Sequence, residues 1–110
     1  MASLNFNNIQ KQYLMVTLND DKNTILSIAN PTKRLLEEFI SVQSMLSGAE
    51  EGSMEQIDVL YDMCAKLMSR NKGNITITKE KIEELFDIED IMVLFNAYME
   101  FITNQVNSKN

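Results

Sequence analysis

The sequence predicts a mainly α (α+β) domain: an N-terminal β-hairpin followed by about four helices, with a dominant C-terminal helix. Three observations predict it. Residues 88, 91, 92, 95, 98, 99, 102 and 106 are all apolar. That is i, i+3, i+4, i+7 spacing kept for about five helical turns. Two further apolar stripes, ending near Leu46 and Ser69, each follow a helix-start signal. By contrast, Tyr13–Leu18 (YLMVTL) is short, rich in β-branched and aromatic residues, and followed by an Asx-rich turn.

Residues 1–12 are polar and asparagine-rich, with Leu4, Phe6 and Ile9 isolated among them. They read as a flexible arm. Residues 13–106 form one domain, which suits a chain of 110 residues. Residues 107–110 are a polar tail. Within the domain, Tyr13–Leu18 and Thr24–Ile28 are the two strands. Asn19–Asn23 turns between them, because Asx side chains satisfy nearby backbone groups and tolerate left-handed geometry. Asn30-Pro31 is expected to start the first helix, asparagine capping and proline at the first helical position. That helix should run to about Leu46, with Gly48 just past its end. Leu35, Leu36, Phe39, Ile40, Val42 and Leu46 make its apolar side.

The acidic loop 48–52 leads to Ser53-Met54-Glu55-Gln56, a capping-box pattern that opens a helix running to about Ser69. Its main stripe is Met54, Ile57, Leu60, Tyr61, Cys64, Leu67 and Met68, with Val59 and Met63 outside it. Arg70–Asn74 is a loop in which Gly73 is expected to supply the free φ angle. Ile75–Ile77 reads as a short extended piece. Thr78 caps a short helix over Lys79–Phe86. Asp87 caps the last helix, with Asp90 three residues on as its reciprocal partner.

Composition excludes several function classes. Hydrophobic content of 45% and charged content of 24% fit a folded protein. The apolar runs fall short of a membrane span, and Met1–Gln12 has no apolar leader core, so a cytoplasmic protein is expected. The net charge is −6 and the lysines are scattered, which disfavours nucleic acid as a partner. Charge is concentrated at 79–100, where Glu80, Glu83, Glu84, Asp87, Glu89, Asp90 and Glu100 face only Lys79 and Lys81. A metal or acid/base site is one reading of this cluster. Capping is the better one, because negative charge at a helix N-terminus is stabilising by about 0.3–1 kcal/mol and no calcium-loop pattern accompanies it.

No catalytic residues are expected. The chain has no histidine and a single cysteine, Cys64, on an apolar helix side with no cation placed to lower its pKa. No phosphate-cradling glycine loop is present, and no cofactor or metal is called for. Eight methionines in 110 residues are many. Methionine repacks readily against irregular partners. Together with two over-wide apolar helix faces, they predict at least one hydrophobic partner or oligomer surface. The candidate contact residues are Leu94, Tyr98 and Phe101 on the last helix, and Met63 and Val59 on the second.

The C-terminal half carries a recognisable pattern. A helix ends in DVLYDMCAKLMSRNKGN (58–74), with an Asn71-Lys72-Gly73 loop. Ile77, Thr78 and Glu80 follow, then LFDIED at 85–90, then Tyr98, Phe101 and Ile102. With the hairpin at Tyr13–Ile28 and Leu35-Leu36-Glu37-Glu38 on the first helix, the chain from about 13 to 106 resembles the tail assembly chaperones of long-tailed bacteriophages and prophages of Gram-positive hosts. The resemblance implies a non-enzymatic protein, absent from the finished virion. It would bind and solubilise the tape measure protein, help recruit tail tube protein, and leave as the tube polymerises. It also implies that this chain is the short form of a pair made by translational frameshifting. Two other classes fit the composition: a small acidic regulatory or inhibitor protein that binds a host protein, and a structural homo-oligomer subunit.

Overall fold

In the computed structural model, described for residues 2–48 and 54–107, an antiparallel hairpin precedes four helices. Strands β1 (Leu14–Thr17) and β2 (Ile25–Ile28) pair in the register Leu14↔Ile28 to Thr17↔Ile25. Helices follow at α1 (Lys33–Gly48), α2 (Met54–Ser69), α3 (Lys79–Leu85) and α4 (Ile88–Asn107). The arm is exposed throughout 2–12 and makes one 3-10 turn at Phe6–Asn8, capped by the Asn5 side chain.

The hairpin turn is held by Asp20. Its carboxylate accepts the Thr24 N–H at 2.9 Å and the Thr24 hydroxyl at 2.6 Å. Asn23 takes the left-handed φ of 50° that the turn requires. The two Thr24 bonds, with Lys81 3.5 Å away, pull the Asp20 carboxyl down from 3.8 to about 2. Alternation decides which hairpin face is buried. Leu26 and Ile28 are buried and Leu14 and Val16 half-buried, while Met15, Thr17 and Ile25 are exposed.

α1 starts later than expected. Thr32, not Asn30, accepts the Leu35 N–H through its hydroxyl at 3.2 Å, and the Leu36 N–H bonds the Thr32 carbonyl at 2.9 Å. The Asn30 amide is committed elsewhere. It forms a reciprocal pair with the Gln105 amide at 2.8 and 2.9 Å, joining the hairpin exit to the far end of α4. The helix also runs on through Gly48. The expected cap at Ser53 and the loop 49–52 lie outside the described residues.

α2 is the hub, packing on α1, α3, α4 and β2. Leu60, Met63, Cys64, Leu67 and Met68 are all buried. Tyr61 donates its hydroxyl to the Phe86 carbonyl at 2.8 Å, fixing the α3–α4 junction against α2. The core centres on Phe39 of α1, whose ring meets Phe95 and Tyr98 of α4 edge-on at 5.4 and 5.2 Å.

The loop after α2 is organised by asparagine, not glycine. Gly73 has no positive φ; Asn74 does, at 57°. Asn71 is buried, and its side chain donates to the Met68 and Ile75 carbonyls and accepts the Ile75 N–H, all within 2.9 Å. Thr78 caps α3 as expected. Asp87 and Asp90 cap α4 reciprocally: each carboxylate accepts the other's backbone N–H, at 2.9 and 3.0 Å.

Candidate functional site

The five residues expected to meet a partner are distributed unlike the expectation. Leu94 is 6% exposed, Met63 2% and Tyr98 0%. All three belong to the chain's own core, and this corrects their assignment as a free flank. The cause is the placement of α4: α2 packs on it, Phe39 of α1 fills another side, and the hairpin lies along a third. A face wider than one neighbour needs is consumed by several. Phe101 is half-buried, its ring 6.4 Å from that of Tyr98. Val59 alone of the five is exposed, at 41%.

The anchoring stripe of α4 shifts accordingly. Ile88 and Val106, expected to anchor it, are exposed, while Ile91, Leu94, Phe95 and Tyr98 carry the burial. The Tyr98 hydroxyl sits in this core without a hydrogen-bond partner among the described residues, and burial raises its pKa to about 12. Cys64 is fully buried, and burial raises its thiol to about 12, far from a reactive thiolate. No group of three or more His, Cys, Asp or Glu side chains placed for a metal ion occurs among the described residues.

The fold gathers some of the scattered cations. Lys11, Lys66, Arg70, Lys72 and Lys79 surround one open cleft beside the α2 C-terminus. Much of that charge is answered internally. Lys66 pairs with Glu38 and with Asp62, and Lys79 with Asp58 at 2.7 Å. Lys72 lies over the Tyr13 ring, 5.6 Å from its centre.

The apolar opening lies elsewhere. A groove of about 320 Å³ runs between β1 and α4. Leu14 and Val16 form one wall, Val93 and Ala97 the other, and Leu94 and Phe86 contribute to the lining. Asp90 and Asn19 also line it. Val93 of α4 is 63% exposed, and Met15, between Leu14 and Val16 on β1, is 61% exposed.

The edge of β1 beside this groove is open. Leu18 N–H bonds the Thr24 carbonyl. By the alternation of an antiparallel ladder, Leu14, Val16 and Leu18 then bond toward β2, and Met15 and Thr17 aim their N–H and C=O groups away from it. No backbone partner for Met15 or Thr17 on that side occurs among the described residues. The outer edge of β2 is covered. Ala29 N–H bonds the Arg70 carbonyl at 2.8 Å, and Lys72 N–H bonds the Ser27 carbonyl at 2.9 Å.

Neither Met15 nor Val93 is among the candidates read from the sequence. Val93 carried a signal: it is an apolar residue outside the i, i+3, i+4 stripe of its helix. Met15 carried none, because which strand of a hairpin is left unpaired depends on the loop at 70–72. No protein-family profile, no curated protein and no solved structure matches this chain. Among the described residues no helix is long and apolar enough to cross a membrane.

Proposed function

We propose that this chain works by protein–protein contact as a tail assembly chaperone, binding and solubilising a long helical tape measure protein and helping to recruit tail tube protein. The sequence resemblance over 13–106 supplies the identity of the client. The observation that carries the binding is the open β1 edge beside the apolar groove walled by Leu14 and Val16 on one side and Val93 and Ala97 on the other. Exposed apolar side chains next to unpaired backbone donors and acceptors suit a peptide segment of a partner. The chain's charge of −6 would keep a coated, aggregation-prone client in solution.

Co-expression with the tape measure protein of the same gene cluster tests the reading. The client moves to the soluble fraction and co-purifies with this chain. A client that stays equally insoluble with and without it overturns the proposal.

A further inference from the structure

We infer that the cleft beside the α2 C-terminus is a docking site for a short acidic segment of a partner protein. The reasoning starts from where the cations go. The chain has 16 acidic side chains and 10 basic ones. Half of those cations, Lys11, Lys66, Arg70, Lys72 and Lys79, line this one cleft. Lys66 and Lys79 are held by the chain's own carboxylates, Glu38, Asp62 and Asp58. Lys11, Arg70 and Lys72 are in no ion pair among the described residues. Three unanswered cations in one place, on a chain of net charge −6, suit a carboxylate-bearing partner.

The charge is also held in position. Arg70 donates its Nε–H to the Asn30 carbonyl, and the Asn30 amide is in turn locked to Gln105. This leaves the terminal guanidinium nitrogens to take a carboxylate as a fork. Lys72 rests over the Tyr13 ring. Lys11 links the two, lining one recess with Tyr13 and Lys72 and another with Asn30 and Arg70. The carbonyls at the end of α2, which would repel an anion, are engaged within the chain. Leu67 accepts the Arg70 N–H, Met68 the Asn71 amide and Arg70 the Ala29 N–H.

The lining selects the class of partner. At about 820 Å³ the cleft is far larger than one carboxylate, and Leu35, Ala65 and Ile77 add apolar surface to it. A peptide that mixes acidic and apolar side chains meets both parts. Asp62 also lines the cleft, and with the net charge of −6 it opposes the continuous charge of a phosphate backbone. The cleft lies beside the covered edge of β2, apart from the β1 groove, so the inference does not rest on the client proposed above.

Titration of the isotope-labelled full chain with a hexapeptide of alternating glutamate and leucine, followed by NMR, tests this. The amides of Lys11, Tyr13, Arg70 and Lys72 shift saturably, and the affinity falls as salt is raised. The same peptide with glutamine in place of glutamate leaves them unmoved. This comparison uses wild type and needs no variant to fold. Lys11→Glu and Lys72→Glu, at exposed positions, each weaken binding about threefold or more, since reversal removes an attraction and adds a repulsion. Lys22→Glu changes the net charge equally at the far end of the hairpin, and leaves the affinity within about twofold. Four results each overturn the inference: no shift at the cleft, equal binding of the glutamine peptide, a Lys22→Glu loss as large as that of Lys72→Glu, or tighter binding of an oligothymidylate at the same amides.

Discussion

The two edges of one short hairpin have opposite fates. β2 is closed by the segment 70–72, which bonds Ser27 and Ala29 and is held in place by the buried amide of Asn71. β1 has the same length and a similar apolar content, and its outer groups meet nothing among the described residues. The difference follows from chain economy. The loop leaving α2 must cross to α3, and it passes β2 on the way. No such crossing passes β1, where α4 stands back far enough to leave a groove. An unpaired edge in a folded protein is a hazard unless something covers it in use, and the proposed partner contact rests on this asymmetry.

Leu94 and Val93 break the comparison most sharply, because they are neighbours with opposite burdens. Leu94 lies beneath the groove in the core and Val93 stands open on its wall. Leu94→Lys buries an unpaired charge and costs more than about 4 kcal/mol, enough to remove the cooperative urea transition of a small domain. Asn71→Ala comes next. It strands the Met68 and Ile75 groups that the amide serves, and costs about 2–3 kcal/mol in the same titration. It should also loosen the covered edge, seen as faster exchange of the Lys72 and Ala29 amides.

The hairpin turn gives a smaller, pH-dependent effect. The folded carboxyl of Asp20 is depressed from 3.8 to about 2. A depressed acid stabilises the fold when ionised, so this contribution is fully present above the ordinary carboxyl range. It is lost as pH falls through the folded value of about 2. Asp20→Asn should lower stability at neutral pH, where the contribution is present, flatten that part of the acid unfolding curve, and converge on wild type below the folded value. Smallest of all, Val93→Lys should shift the midpoint by less than about 0.5 kcal/mol, since its side chain has little to lose in the isolated fold.

How much of this was legible in the sequence differs by element. The hairpin, the four helices and the Asp87–Asp90 box could be read directly, because each rests on residues close in sequence. Thr32 was missed as the cap of α1 because Asn30-Pro31 is the stronger local signal, and the Asn30 amide is instead drawn to Gln105, on the last helix. Gly73 is the stronger local signal for a positive φ, and Asn74 takes it instead, asparagine being among the non-glycine residues enriched there. The candidate site fared worse. Leu94, Tyr98 and Met63 looked surplus because a stripe of about 100° is enough to dock a helix on one surface. α4 meets three, and the number of neighbours is a tertiary fact. The open edge of β1 depends on a loop more than forty residues away in sequence, and no local pattern announces it.

Native-state hydrogen exchange by NMR, with and without the bound client, tests the central claim most directly. In the free chain, the Met15 and Thr17 amides should exchange nearly as fast as free peptide while those of Ala29 and Lys72 are protected. Protection of Met15 and Thr17 should then appear when the client is bound, and Val93→Lys should weaken it. Met15 and Thr17 amides protected as strongly as Ala29 in the free chain, or unprotected in the client complex, would contradict it.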